Sequence, residues 1–267
     1  MKNRKLIALD LDGTLLDDQK NISSNTKKYL KALEDKGNII CLTSGRPPRA
    51  IKPHYDDIGL KTSPFIGYNG DLIYDVLKDK TTVFKSIPIS FISCFFKHFD
   101  FYKFPYIAGE DLSHLYLNVA DILFDDFLHP DGIQVVVGQM PYTIVNDLEA
   151  FFFKTYDNNQ DEIKKFTSKH KDVEVRFWYD RPEFGEFYPA NISKEVGLKE
   201  VAKNYNIERE DIIAFGDGNN DFEMLEFASI SFAMKNGAEK LKQQNKYVTE
   251  FTNNEEGVYR QLKKILG

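Results

Sequence analysis

The chain has 267 residues, room for one large domain or two modest ones, and 42% of them are hydrophobic, an ordinary share for a globular core. Its net charge of −6 argues against a phosphate backbone as partner, so no nucleic acid is expected. Cys41 and Cys94 form no CxxC pair, which excludes a disulfide framework or a zinc site of the usual spacing. Lys2, Arg4 and Lys5 precede an apolar run of only Leu6 to Leu9, too short for a secretory leader, which needs about 7–15 such residues. No stretch approaches the ~18 apolar residues of a membrane helix. A cytoplasmic protein with no membrane partner is expected, as a monomer or weak dimer.

Leu6 to Leu9 reads as a buried strand ended by Asp10 and a turn at Gly13. Ser23 or Ser24 can cap a helix carrying Tyr29, Leu30 and Leu33, which Gly37 terminates. Ile39 to Leu42 is a second buried strand, and Pro47 and Pro48 suit a helix start. Phe65 to Tyr68, Asn69-Gly70 and Leu72 to Tyr74 read as a hairpin. From about Val83 to Tyr188 the composition shifts: the only tryptophan, Trp178, and most of the Phe and Tyr lie there, with alternating runs such as Ile133 to Val137. Beyond it, Leu198, Val201, Ala202 and Tyr205 mark one helix face. Ile212 to Phe215 is a strand, Phe222 and Leu225 begin a helix, Ile230 to Ala233 and Tyr247-Val248 are strands, and Glu256 to Leu266 closes the chain as a helix. The fold class expected is α/β: a Rossmann-like parallel sheet from residues 1–82 and 189–267, with an α+β cap inserted at 83–188.

Four segments carry chemistry: Asp10-Leu11-Asp12-Gly13-Thr14, Thr43-Ser44-Gly45-Arg46, Ser193-Lys194 and Gly216 to Asp221. Three follow buried strands directly, and ligands of open parallel sheets bind beyond the carboxyl ends of the strands. Asp10, Ser44 and Asp217 therefore converge if their strands are neighbours. Asp10, Asp12, Asp217 and Asp221 cannot all ionise at close range without a counterion. A hard, oxygen-seeking divalent cation such as Mg²⁺ resolves this and attracts a phosphate dianion. Ser193 can cap the helix that Lys194 opens, and a lysine at a helix N-terminus makes sense where an anion binds. A carboxylate can attack phosphorus, and Asp12, two residues on, can protonate the leaving oxygen and then activate water.

These segments resemble the haloacid dehalogenase superfamily of phosphatases: DxDGT, a hydroxyl before Gly-Arg, a lysine, and GDGxND. The finer resemblance is to the Cof-like sugar-phosphate phosphatases, which carry a large α/β (type IIB) cap. It rests on Leu9 to Leu16, Ser44 to Pro47, Asn69-Gly70, Ser193-Lys194, Ile213 to Leu225, Phe232 to Gly237 and Glu256 to Val258, in order and at family spacing. The resemblance implies Asp10 as nucleophile and Asp12 as acid/base. It implies Mg²⁺ held by Asp10, the Asp12 backbone carbonyl and Asp217, with Asp221 supporting the metal site from behind. Leu11 N–H, Ser44, Gly45, Lys194 and Asn220 would contact the phosphate of a small phosphorylated metabolite. Arg46 either contacts substrate or ties down its own loop, and Asn69 either caps its turn or also faces the site. The sequence departs from the family in Glu195 after the lysine and Gly237 where alanine is common; Glu195 could narrow the entrance or tune Lys194. A sugar phosphomutase of the phosphomannomutase type is the alternative enzyme, and a binding module that keeps the fold without turnover is the alternative outside enzymes.

Overall fold

The structure, a computed structural model, describes residues 4–120, 132–138, 140, 142–156, 159–178 and 181–267. Two compact units divide the chain: Met1–Val83 with Ser193–Gly267, and Phe84–Ile192. Val83 thus lies in the first unit and 189–192 in the second, a few residues from the boundaries that composition suggests.

The first unit is an eight-stranded sheet. Its centre is β1 (Leu6–Asp10), flanked by β2 (Ile39–Thr43) and β12 (Ile212–Gly216), and both pairings are parallel. Beyond β12 lie β13 (Ile230–Ala233) and β14 (Tyr247–Val248), also parallel. Beyond β2 come β3 (Phe65–Gly67), then β4 (Leu72–Asp75) and β5 (Lys80–Val83), which turn antiparallel. Every residue of the three central strands is buried, as expected for a parallel sheet covered on both faces. Alternate residues supply the two faces. Ile7, Leu9, Ile40, Leu42, Ile213 and Phe215 pack with Leu30 and Leu33 of α1 (Ser24–Asp35), Ile51 and Tyr55 of α2 (Pro48–Ile58), and Val258 and Leu262 of α8 (Gly257–Leu266). On the opposite side run α5 (Lys194–Tyr205) and α6 (Phe222–Phe227), where the Thr43 hydroxyl donates to Met224 Sδ at 3.4 Å.

Local chemistry accounts for most element ends. Ser23 caps α1 by accepting from Thr26 N–H, and Gly37 turns the chain out at φ 90°. Pro47 and Pro48 open α2, which nevertheless holds Pro53 within it. Ser193 occupies the N-cap position of α5, but its side chain makes no capping bond; the capping expected of its hydroxyl is absent. The hairpin of β3 and β4 is linked by Tyr68 to Asp71, more than the two-residue Asn-Gly turn suggests. Strand β5 carries no sequence signal: Lys80 and Thr81 are exposed and offer no apolar alternation.

The second unit is a six-stranded sheet in the order β10-β11-β9-β6-β7-β8. Its strands are β6 (Tyr106–Glu110), β7 (His114–Leu117), β8 (Gln134–Val137), β9 (Ala150–Lys154), β10 (Val173–Phe177) and β11 (Phe184–Pro189). Helices α3 (Ile89–His98) and α4 (Gln160–Thr167) supply Phe91, Phe95 and Phe166 to a core with Phe151, Phe153 and Phe187 of the sheet. Phe95 and Phe187 meet edge to face at 4.9 Å. The composition shift is therefore an aromatic core belonging to this unit. Among the described residues, no helix of the chain is long and apolar enough to cross a membrane.

Candidate active site

Parallel pairing of β1 with β12 sets Leu9 beside Phe215, so the residues that end these strands emerge side by side. Asp10 closes β1, and Asp217 follows Gly216 at the end of β12. Carboxylate oxygens of Asp10, Asp217 and Asp221 all lie within 4.8 Å of one another. Gly13 permits this approach: at φ 76° it takes a left-handed turn, and a Cβ there would stand 2.4 Å from Asp217 Oδ2. The Thr14 hydroxyl donates to Asp217 Oδ1 at 3.1 Å.

Lys194 begins α5 and is fully buried, far from the solvated surface lysine it could have been. Its Nζ donates to Asp10 Oδ1 and Asp221 Oδ1, each at 2.5 Å. Burial works against its charge, but Asp10 and Asp221 outweigh that and raise its pKa. Asp221 is spoken for on its other oxygen, which accepts the N–H groups of Asp217 and Gly218 at 2.9 Å each.

One lysine does not balance three carboxylates, of which Asp10 and Asp221 are buried and Asp217 is half-buried. Burial first, then the neighbouring charges of Asp221 and Asp217, push Asp10 upward against the pull of Lys194. Burial and the charge of Asp221 raise Asp217 to about 7. An all-oxygen donor set with excess negative charge fits a hard divalent cation, so the residues present fit the divalent metal that the resemblance implies.

Asp12 sits in the opposite electrostatic environment. Arg46 donates through Nε to Oδ2 and through Nη2 to Oδ1, both at 2.7 Å. Lys20 Nζ adds a third donor to Oδ1 at 2.6 Å. Burial favours the protonated acid, but the hydrogen bonds and charges of Arg46 and Lys20 overcome it and bring the pKa to about 2. Arg46, itself buried, thus reaches beyond its own loop and grips the neighbouring motif. Lys20 belongs to none of the four motifs. It sits at φ 62° in a tight turn where Asp17 Oδ1 accepts from Gln19 and Asn21 N–H, and no spacing rule signals it.

Ser44 is buried and its Oγ accepts the N–H of Arg46 at 3.1 Å. Leu11 is buried, with its carbonyl accepting the N–H groups of Leu15 and Leu16 in the turn after β1. Asn220 donates through Nδ2 to Asn69 Oδ1 at 2.8 Å. Glu195 pairs with Lys199 on the same helix at 2.7 Å rather than with Lys194. The sequence motifs, together with Asn69 and Lys20, therefore meet at the carboxyl edge of one sheet.

Carboxylates and a lysine at the edge of a doubly covered parallel sheet form an acidic site suited to a divalent cation and a phosphate group. The chain belongs to the haloacid dehalogenase-like hydrolase family, whose sequence model matches residues 7–262. It is 33% identical over 97% of its length, and 96% of the relative's, to the Bacillus subtilis 5-amino-6-(5-phospho-D-ribitylamino)uracil phosphatase YitU. Its fold matches a haloacid dehalogenase-like hydrolase of Bacteroides thetaiotaomicron with TM-score 0.85 at 24% identity, covering 99% of this chain and 100% of that one. It also matches a sugar phosphatase of HAD subclass IIB with TM-score 0.78 at 24% identity, covering 97% and 98% of the two chains.

Proposed function

We propose that the chain is a Mg²⁺-dependent phosphomonoester hydrolase working through an aspartyl-phosphate on Asp10. The observation that carries this reading is the Asp10–Asp217–Asp221 cluster, half-buried at Asp217 and buried at the other two, where Lys194 is the one cation paired with it among the described residues. Asp10, the Asp12 carbonyl and Asp217 would hold the ion, with Asp221 behind them fixing Lys194 and the loop after β12. When bound, Mg²⁺ supplies charge neutralisation for the phosphoryl oxygens.

In the first step an Asp10 oxygen bonds to phosphorus as the ester P–O bond breaks, and Asp12 gives the leaving oxygen its proton. In the second, water attacks phosphorus, its proton passes to Asp12, and Asp10 leaves as the free carboxylate. Leu11 N–H, Ser44, Gly45, Lys194 and Asn220 hold the phosphoryl oxygens; positioning and charge dominate such transfers. Asp12 starts as a carboxylate clamped by Arg46 and Lys20. A bound dianion competes for both cations, loosens the clamp, and lets Asp12 take up a proton.

The substrate we propose is a phosphate ester on a small polyhydroxylated carbon chain. A sugar phosphate fits, and so does the ribityl phosphate that names YitU's substrate. The inserted unit of residues 84–192 is assigned the role of specificity cap. A panel of sugar, polyol and ribitylaminouracil phosphates, assayed with Mg²⁺ and then with EDTA, tests this. Stoichiometric free phosphate that disappears in chelator is expected. Isomerised sugar phosphate without free phosphate would instead establish the phosphomutase, and turnover in excess chelator would contradict the metal role.

A further inference from the structure

Asn69 makes contact with two separate parts of the proposed phosphate cradle. Its backbone N–H donates to the Ser44 carbonyl at 2.9 Å. Its side-chain Oδ1 accepts from Asn220 Nδ2 at 2.8 Å, across 151 residues of sequence. Its amide also stands so near Gly45 that a Cβ there would lie 2.8 Å from Asn69 Nδ2. Ser44 and Gly45 follow β2, whereas Asn220 follows β12, and β1 separates these strands in the sheet. The Asn69 side chain, only 5% exposed, spans that gap.

The backbone is bent to achieve this. Tyr68, Asn69 and Gly70 have φ of 47°, 55° and 109°, three successive residues in the left-handed region. Asparagine tolerates that region better than most residues, while tyrosine does not, so the turn is held by its surroundings. Gly70 closes it against the start of α5: a Cβ there would stand 1.9 Å from the carbonyl oxygen of Ser193, the residue before Lys194. One turn therefore touches the Ser44–Gly45 loop, Asn220 and the segment that delivers Lys194.

We infer that Asn69 is a positioning residue that joins the Ser44–Gly45 loop to Asn220 and sets the spacing of the groups gripping the phosphoryl oxygens. The inference rests on the phosphate roles proposed above for Ser44, Gly45 and Asn220. It separates Asn69 from a direct substrate contact, because the Asn69 side chain then acts through Asn220.

A double-mutant cycle tests it. Asn69→Gly removes the amide while suiting a positive φ, which protects the turn; Asn220→Ala removes its partner. Inorganic phosphate is titrated calorimetrically into each variant in saturating Mg²⁺, and Mg²⁺ half-saturation is read from melting temperature. Each single variant should weaken phosphate about tenfold, the loss of one hydrogen bond near a charge. The double variant should be no weaker than Asn220→Ala, and Mg²⁺ half-saturation should stay at the wild-type value in all three. Losses that multiply in the double variant would overturn the inference, since Asn69 would then act independently. Wild-type phosphate affinity in Asn69→Gly alone would overturn it too. Wild-type affinity in Asn220→Ala would remove the proposed phosphate role of Asn220, and the inference with it.

Discussion

Asp10 in the first unit and Asp111 in the second are equally buried, each 5% exposed, yet their environments drive them in opposite directions. Asp111 lies in the turn between β6 and β7. It accepts the N–H groups of Ser113 and His114 at 2.7 Å, the Tyr116 hydroxyl at 3.0 Å and Asn146 Nδ2 at 2.8 Å. Burial alone would raise its pKa, but Asn146 and the other donors lower it below the usual carboxylate value. Asp10 has Lys194, which it shares with Asp221, and two acidic neighbours; burial and those charges raise it. Burial of a carboxylate thus says little about function. An acidic cluster left short of positive charge says more, because folding tolerates such a deficit where a cation or a reaction needs it.

The largest effect that separates the two regions is on turnover. Asp10→Asn keeps the side chain's shape but removes the proposed nucleophile, and steady-state phosphate release should fall by at least about 10⁴-fold. A near wild-type rate would remove the distinction drawn for Asp10.

Stability separates them next. Lys194→Met leaves Asp10 and Asp221 without their shared cation and should cost about 3–5 kcal/mol in denaturant unfolding. Added Mg²⁺ should recover part of that loss, since a ligand of the folded state stabilises it by mass action. Asp111→Ala leaves buried donors unpaired and should cost about 1–3 kcal/mol. Here Mg²⁺ should raise the melting temperature by the same increment as in wild type. A Mg²⁺-specific rescue of Asp111→Ala would erase the contrast.

The smallest effect is the pH dependence. Hydrogen bonds from Asn146 and the backbone hold the folded-state pKa of Asp111 below that of an ordinary aspartate. Its contribution to stability is therefore complete above about pH 3.8 and is lost as pH falls through the folded value. Asp111→Asn should flatten the acid limb of a melting-temperature profile below that pH. An unchanged acid limb would mean that the donors around Asp111 contribute no charge-dependent stability.

Much of the site was legible because its residues end apolar runs. Asp10, Thr43 and Gly216 each close a strand that reads as buried, and the parallel sheet brings those ends together. What escaped depends on tertiary geometry. Lys20 lies in a polar turn with no periodicity, and only the folded loop brings it to Asp12. The Arg46 side chain could have faced several ways, and its bidentate grip on Asp12 depends on how the loops after β1 and β2 meet. Strand β5 is half polar and at the sheet edge, so pattern alone does not separate it from loop. Ser193 carries the residue type of a cap but not the bond. In the second unit, the aromatic composition marked a distinct core, while the strand order rests on long-range pairings that no local pattern encodes.

The central claim is that Asp10 becomes phosphorylated while Asp12 manages the proton. Rapid-quench mass spectrometry of the Asp12→Asn variant, mixed with p-nitrophenyl phosphate and Mg²⁺, tests it most directly. This activated leaving group needs little protonation, so dephosphorylation should slow more than phosphorylation, by about 10²–10⁴-fold for the lost proton transfer. The account predicts a phosphoryl adduct on Asp10 that accumulates within the first turnover and is absent from Asp10→Asn. Phosphate release with no adduct on Asp10 in any quenched sample, and persisting at full rate in Asp10→Asn, would contradict it.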